Sequence, residues 1–148
     1  MIELDSSRRL SLSELIRVPF HDIDPAGVVW HGRYFKYFEA VRSAMLEELE
    51  YSYEGMLESG HLWPVVDAKI RYISPIILNQ EVLVTASLVE WELRLVVEYE
   101  IRNQDGVVIT KAKTVQVPVD AETHDLQFGC PEVLIGNVQR RMKALENN

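Results

Sequence analysis

The sequence contains a single cysteine, Cys130, which leaves no partner for an internal disulfide bond. Basic residues are also scarce, 15 against 23 acidic ones, and the net charge of −8 argues against a nucleic-acid-binding face, which needs clustered cations. No stretch has the length and apolarity of a membrane span, and residues 1–18 contain no apolar signal-peptide core. These absences favour a cytoplasmic protein, while a local basic patch for an anionic ligand stays compatible with them.

What the sequence does contain is sufficient for one globular domain. Its 148 residues are 47% hydrophobic and 26% charged, which is ordinary for a soluble protein with a single core. No internal repeat, low-complexity tract or linker divides the chain. We therefore expect one domain over residues 1–148.

One segment has the periodicity of an amphipathic helix. From Tyr34 to Leu49 the apolar residues recur at spacings of three and four and mark a single face: Tyr34, Tyr37, Phe38, Val41, Met45 and Leu49. A stripe this rich in aromatic side chains needs a broad apolar surface, so we expect a sheet to pack against it. A shorter helix is expected near the C-terminus, over residues 131–145.

Strand-like segments precede and follow the long helix. Residues 14–20 are compatible with a strand, and four later segments are rich in Val, Ile, Thr and Tyr and are separated by turn residues: 65–73, 81–91, 94–103 and 107–119. Asp105-Gly106, between the last two, is typical of a hairpin turn. This order of elements predicts an α+β fold in which an antiparallel sheet wraps the helix.

The stretch FHDIDPAGVVWHGR, just before the long helix, holds polar groups that a plain chain reversal does not need. Asp24-Pro25-Ala26-Gly27 has the composition of a type I turn, with Asp first, Pro second and Gly fourth. His31 and Gly32 lie at the start of the helix, where backbone N–H groups lack intrahelical acceptors and the helix dipole favours negative charge. A carboxylate beside free N–H donors supplies two things that acyl transfer requires.

Other interpretations of these residues stay open at the level of sequence. An aspartate before a proline, such as Asp24, is most often a turn former, and a histidine at a helix start, such as His31, is most often a partly exposed hydrogen-bonding residue. We interpret Asp22 as structural. A metal site formed by these three residues together with His21 is a further alternative, although the spacing matches no common zinc pattern.

Residues 22–42, DIDPAGVVWHGRYFKYFEAVR, resemble the signature of the 4-hydroxybenzoyl-CoA thioesterase family of hotdog-fold proteins. That signature runs Asp-x-Asp-(Pro/Ala)-x-Gly-x-Val-x-(His/Tyr)-x-x-Tyr and continues into an aromatic helix ending in Glu/Asp-x-x-Arg. The positions that fit it are Asp22, Asp24, Pro25, Gly27, Val29, His31, Tyr34, Phe38, Glu39 and Arg42. The detailed resemblance covers residues 17–42, and the order of elements agrees with a hotdog fold out to Val119.

The resemblance implies hydrolysis of an acyl thioester to a free acid and a thiol, with no metal or organic cofactor. Asp24 falls on the catalytic aspartate of the family, which acts as nucleophile or as general base. The backbone N–H of His31 falls where relatives contact the thioester carbonyl, and its imidazole falls where some relatives have an assisting histidine. Gly27 would let the backbone pass close to the substrate. Val29 and Tyr34 belong to the same substrate-binding segment.

Two features depart from what the resemblance implies. Asp67 falls where relatives place a small polar residue near the site, often from the neighbouring subunit. Its carboxylate is either a second catalytic group or a salt-bridge partner of Lys69 or Arg71. Basic residues for the phosphates of CoA are sparse, and the candidates are Arg94, Arg102, Lys111 and Lys113.

An acyl or aryl pocket is expected from residues that are equally compatible with plain core packing: Tyr51, Tyr53, Met56, Leu57, Trp63 and Val65. A lone hotdog domain leaves a sheet edge unpaired, so we expect a homodimer with a continuous sheet, alone or doubled to a tetramer. The two sites would then lie across the dimer interface.

Three functions are compatible with these residues. They are an acyl-CoA or acyl-carrier thioesterase, a hotdog hydroxyacyl dehydratase or hydratase, and a non-catalytic protein that binds acyl thioesters. The lyases use a different His/Asp or His/Glu arrangement and lack the Asp-x-Asp-Pro-x-Gly turn. The sequence therefore favours the thioesterase, with no nucleic-acid or membrane partner.

Overall fold

A large antiparallel sheet and a long helix form the computed structural model, which describes residues 1–148. In chain order the strands are β1 (Glu3–Leu4), β2 (Leu10–Arg17), β3 (His61–Leu62), β4 (Val65–Tyr72), β5 (Glu81–Glu90), β6 (Leu95–Arg102), β7 (Val108–Gln116) and β8 (Val119–Asp120). Six of them form one sheet in the order β1-β2-β5-β6-β7-β4, and β3 pairs with β8. Every pairing is antiparallel, as the sequence predicts.

The helices are α1 (Tyr34–Glu48), α2 (Tyr53–Glu58) and α3 (Glu132–Glu146), and two 3₁₀ turns precede α1 at Phe20–Asp22 and His31–Arg33. The apolar stripe of α1 is buried against β2 and β5, and the side chains of Phe38, Val41 and Met45 are completely inaccessible. This confirms the predicted α+β hotdog arrangement. None of the helices combines the length and apolar character needed to cross a bilayer.

Some element bounds differ from the sequence prediction. The first long strand begins at Leu10 rather than at residue 14, and the alternation of leucine and serine along LSLS is itself a strand pattern that the prediction did not include. It ends at Arg17, two residues before Pro19, which has no N–H to donate to a ladder. The segment 51–64 contains α2 and β3, and its glycines and short apolar runs give no clear period.

The strand β4 is the long free edge of the sheet. It pairs only with β7, whereas the opposite edge is the two-residue β1. Apolar side chains remain exposed along it, including Val66 and Tyr72, with exposures of 58% and 44%. A long, partly apolar edge of this kind is the part of a sheet that pairs with another strand.

Candidate active site

The predicted turn is present and forms the tip of a small hairpin. The Gly27 N–H donates to the Asp24 carbonyl at 3.0 Å, and the Asp24 N–H donates to the Val28 carbonyl at 2.8 Å. Gly27 has a φ of +85°, a left-handed value that glycine adopts without strain. A Cβ at this position would meet no atom within 4 Å. The backbone conformation of the turn, rather than crowding within the chain, therefore explains the glycine.

The Asp24 carboxylate has one fixed oxygen and one free oxygen. Its Oδ1 accepts hydrogen bonds from the N–H groups of Ala26 at 2.9 Å and Val28 at 3.4 Å. Its Oδ2 has no donor within the chain, and the side chain is partly exposed. The same aspartate thus shapes the turn and presents a second oxygen in a defined direction.

A closed hairpin holds the turn directly before the start of α1. Ile23 and Val29 form an antiparallel bridge, and the Trp30 N–H donates to the Asp22 carbonyl at 2.9 Å. These contacts close the hairpin at its base, immediately before His31. The carboxylate of the turn and the first backbone groups of the helix therefore keep a fixed relation to each other.

The start of the helix presents two free backbone donors. The N–H groups of His31 and Gly32 have no acceptor within the chain, whereas the Arg33 N–H donates to the Trp30 carbonyl at 2.9 Å. The His31 imidazole is exposed and makes no hydrogen bond, and its ring lies 5.1 Å from the Trp30 ring. A Cβ at Gly32 would overlap the Trp30 ring, so the tryptophan covers this part of the backbone.

The strand β4 reaches the helix start through its last residue. The Tyr72 hydroxyl donates to the His31 carbonyl at 2.9 Å, and its ring contacts the buried Tyr34 ring edge-on, with centroids 4.8 Å apart. The hydroxyl is protonated at neutral pH, as tyrosine ordinarily is, and acts as the donor; partial burial raises the pKa of Tyr72 further. Sequence reasoning did not identify Tyr72, because nothing in its local pattern indicates a partner 41 residues away.

Asp22 is a buried structural carboxylate, as the sequence interpretation proposes. It is 1% exposed and accepts hydrogen bonds from the Lys36 ammonium and the Tyr37 hydroxyl, each at 2.7 Å. Burial alone would raise the pKa of Asp22, but these two hydrogen bonds and the charge of Lys36 hold it below its usual value. Burial and the neighbouring carboxylate raise the pKa of Tyr37. Asp22 therefore fastens the loop to α1.

We expect Asp22→Asn to lower the free energy of unfolding by about 1–2 kcal/mol near neutral pH. The amide keeps one acceptor oxygen but loses the second oxygen and the negative charge that strengthens both hydrogen bonds, and solvent screening of Lys36 limits the loss. The pKa of Asp22 is lower in the folded state than in the unfolded state. The stabilisation from its charge is therefore complete above the unfolded pKa of about 3.9 and is lost as pH falls through the folded pKa. Urea unfolding of both proteins at about pH 7 and about pH 2 measures this. A difference in stability that does not shrink in acid would contradict it.

Val29 and Tyr34, predicted to bind substrate, are buried at 4% and 2% exposure. The Val29 N–H donates to the Ile76 carbonyl at 2.8 Å, which fixes the loop to the connection between β4 and β5. Both side chains support the loop from the core. Val29 is buried where it bridges to Ile23, and Tyr34 is buried as the first residue of the apolar stripe of α1.

Asp67 lies on the free edge strand, opposite Val115 of β7. It is exposed and forms no ion pair with Lys69 or Arg71, so the salt-bridge alternative is not realised within the chain. Its position on β4 places it where a second copy of the sheet would pair.

The metal alternative finds no support in the geometry. His21, Asp22, Asp24 and His31 do not form a group of three that could hold an ion. The His21 Nε2 lies 3.8 Å from the Asp22 carboxylate, which is already engaged by Lys36. The fixed oxygen of Asp24 is occupied by backbone donors.

Four cations lie together on the face of the sheet opposite α1, and we call them the outer-face cations: Lys69, Arg71, Lys111 and Lys113. Lys69 lies directly opposite Lys113, and Arg71 lies opposite Lys111. None of them forms an ion pair within 4.0 Å, although Glu98 and Glu100 of β6 lie opposite Lys113 and Lys111 in the ladder; these two acids pair with Arg9 and Arg102.

The two remaining basic candidates are already paired. The Arg94 guanidinium lies 3.1 Å from the Glu90 carboxylate, at the hairpin between β5 and β6. That of Arg102 lies 3.0 Å from Glu100. Only Lys111 and Lys113, of the four candidates, carry a charge without a partner, and the cross-strand register adds Lys69 and Arg71 to them.

A groove of about 840 Å³ lies between α1, α2 and the segment before β4. Four of the six predicted pocket residues line it: Tyr51, Tyr53, Met56 and Trp63. The other two, Leu57 and Val65, do not. The Trp63 indole N–H donates to the Tyr51 hydroxyl at 3.0 Å, which fixes both rings. Only five of the fourteen residues that line the groove are hydrophobic, and four glutamates are among the others, so the groove of the single chain is mostly polar: Glu47, Glu50, Glu54 and Glu58.

A protein-family model described as the Thioesterase-like superfamily matches residues 18–142. A putative acyl-CoA thioesterase of Bacillus subtilis (strain 168), YneP, is 30% identical over 109 residues, which cover 73% of this chain and 79% of the relative.

Two solved structures share the fold closely. The DHNA-CoA thioesterase from Staphylococcus aureus superposes with a TM-score of 0.78 at 26% identity and covers 93% of each chain. A 4-hydroxybenzoyl CoA thioesterase mutant, complexed with 4-hydroxybenzoyl CoA, superposes with a TM-score of 0.76 at 18% identity, covering 86% of this chain and 98% of the other.

Proposed function

Because this chain belongs to the Thioesterase-like superfamily, we propose that it hydrolyses an acyl-CoA thioester to a free acid and CoA. One arrangement carries the proposal: the Asp24 carboxylate, with one fixed and one free oxygen, lies on a closed hairpin that is followed directly by two backbone N–H donors that lack acceptors. The similarity to acyl-CoA thioesterases supports it.

Two versions of the mechanism are open to Asp24. It attacks the thioester carbon itself and forms a mixed anhydride, or it acts as the general base for a water molecule that attacks the carbon. In both versions negative charge develops on the carbonyl oxygen. The N–H groups of His31 and Gly32 are the donors available to stabilise it, reinforced by the dipole of α1. The thiolate of CoA then leaves. In the general-base version it receives the proton that Asp24 took from the water; in the nucleophilic version it takes a proton from solvent, and water then hydrolyses the mixed anhydride to the free acid and restores the Asp24 carboxylate.

We further propose that the active form is a homodimer, or a multiple of it, paired through β4. Antiparallel pairing of two β4 strands about a two-fold axis sets the start of one strand beside the end of the other. The groove next to Trp63 of one copy would then adjoin Tyr72 and the helix start of the second copy. Each site would take its acyl groove from one chain and its Asp24 from the other. Sedimentation that shows a monomer at micromolar concentration would contradict this.

The carrier in this proposal is CoA, held through its phosphates by the outer-face cations. Like charges directly opposite each other across an antiparallel pair are unfavourable, and this cluster contains two such pairs. A bound phosphate relieves that repulsion. The surface around the cluster has six cationic and four acidic side chains, so it is locally positive on an overall acidic chain.

Reversing charge in this cluster is expected to weaken substrate binding more than it slows the chemical step. Lys111→Glu combined with Lys113→Glu should raise KM by about tenfold or more with a smaller change in kcat, and added salt should act in the same direction. Lys143→Glu, on the exposed face of α3, is the matched control. Arg94→Glu should change KM less, because Arg94 is already paired. A KM that is unchanged in all these variants would indicate another surface or another carrier.

Release of free thiol from a panel of acyl- and aryl-CoAs tests the proposed function directly. A thioesterase releases thiol from at least one member. A dehydratase or hydratase would change the double bond of an enoyl or hydroxyacyl-CoA without thiol release, and a binding protein would retain the ester intact. A cytoplasmic location is part of the same proposal, and fractionation of cells that express the protein measures it.

A further inference from the structure

The hydrogen bond between the edge strand and the helix start has a consequence for the carbonyl site. We infer that Tyr72 is a positioning residue, which orients the backbone N–H of Gly32 and strengthens it as a second donor to the thioester carbonyl oxygen. This inference rests on the proposed thioesterase function and adds to it a residue on a different structural element.

The geometry of one peptide group links the two residues. The Tyr72 hydroxyl donates to the His31 carbonyl at 2.9 Å, and that carbonyl belongs to the same planar peptide group as the Gly32 N–H. The chain has no cis peptide bond, so this N–H points away from the direction of its carbonyl. By fixing where the carbonyl points, Tyr72 also fixes where the Gly32 N–H points.

The same hydrogen bond changes the strength of the donor. A donor on a peptide carbonyl polarises the peptide group and makes its N–H a better donor, by roughly 10–30% per bond. The Gly32 N–H has no acceptor within the chain, so the gain is available to a ligand. The neighbouring Arg33 N–H is already used by Trp30, which leaves Gly32 as the last free donor before α1.

The surroundings hold this peptide group in place. The Tyr72 ring meets the Tyr34 ring edge-on, at an interplanar angle of 87°, and the His31 ring at 88°. On its other side, the Trp30 ring occupies the space that a Cβ at Gly32 would need. A residue on a paired strand positions a group more rigidly than a loop residue does.

A purely structural role explains the contact less well. The loop is already closed by the Trp30 and Asp22 backbone bond and by the buried Asp22 carboxylate. Tyr72 itself is 44% exposed, and an exposed hydroxyl adds little to folding stability. Loss of the hydroxyl should therefore affect the rate of hydrolysis rather than the fold.

The test compares Tyr72→Phe with Tyr99→Phe, a matched loss of one hydroxyl. Tyr99 is buried, and its hydroxyl bonds to Thr114 at 2.8 Å in the core. For Tyr72→Phe we expect kcat to fall by about tenfold. This is less than the hundredfold or more that loss of a whole oxyanion donor costs, because the Gly32 N–H remains. KM and the urea midpoint should stay near those of the wild type. Tyr99→Phe should lower the urea midpoint and leave kcat unchanged.

Two further readouts separate positioning from structure. The affinity of an alkyl-CoA thioether, which lacks the carbonyl oxygen, should be equal in the wild type and in Tyr72→Phe. The amide proton and nitrogen resonances of Gly32 should shift upfield in Tyr72→Phe, because the His31 carbonyl of the same peptide group has lost its hydrogen-bond donor. An unchanged kcat, or a Gly32 amide that does not move, would overturn the inference. A wild type that releases no thiol would overturn the proposed function instead, and the Gly32 resonance would still decide whether Tyr72 polarises that peptide.

Discussion

Asp24→Asn is expected to reduce thioester hydrolysis by at least about a hundredfold while leaving the fold and the dimer intact. Asparagine is accepted at the first position of this turn, and its side-chain oxygen can still receive the N–H groups of Ala26 and Val28. What disappears is the negative charge on the free oxygen. Thiol release from the best acyl-CoA of the panel, with thermal unfolding of the same samples, measures both effects.

Three controls make this result specific. Asp105→Asn changes another exposed turn aspartate, in the hairpin between β6 and β7, and should leave activity unchanged. His31→Ala should cost less than Asp24→Asn, because the backbone N–H at that position persists without the side chain. Chelators or added zinc should change none of these rates. Turnover by Asp24→Asn close to the wild-type rate would mean that Asp24 only forms the turn, and the mechanism would be wrong.

Ala68→Asp is expected to convert the proposed dimer to a monomer and to lower activity by at least about tenfold at micromolar concentration. Ala68 lies near the middle of β4, so pairing about a two-fold axis sets it close to its own copy and would oppose two carboxylates there. The residue is exposed in the single chain, so the folded monomer tolerates the aspartate. Activity should fall because, in the proposed dimer, each site would draw on both chains.

Sedimentation velocity and specific activity, measured over the same range of concentration, test this together. Ala144→Asp, on the exposed face of α3, is the matched control and should remain dimeric and active. A variant that stays dimeric would show that β4 does not form the dimer interface. A monomer with full activity would show that one chain contains the complete site.

The elements that depend on nearby residues were accessible from the sequence. The spacing of apolar residues defined α1 to within one residue, because the 3.6-residue period acts over a few turns of the same helix. The turn at Asp24 followed from the Asp-Pro-Ala-Gly order, since each residue type suits one backbone conformation. The start of β2 was missed although it too was accessible, since leucine and serine alternate from Leu10 with the two-residue period of a strand.

Only the tertiary structure decided which distant groups meet. The register of β4 on β7 places Lys69 and Arg71 beside Lys113 and Lys111, a cluster that no local pattern contains. The same strand carries Tyr72 to the His31 carbonyl, 41 residues away along the chain. Strand register and loop closure depend on the packing of the whole sheet against α1. The local sequence therefore defined the turn and the helix, while the fold determined which distant side chains lie beside them.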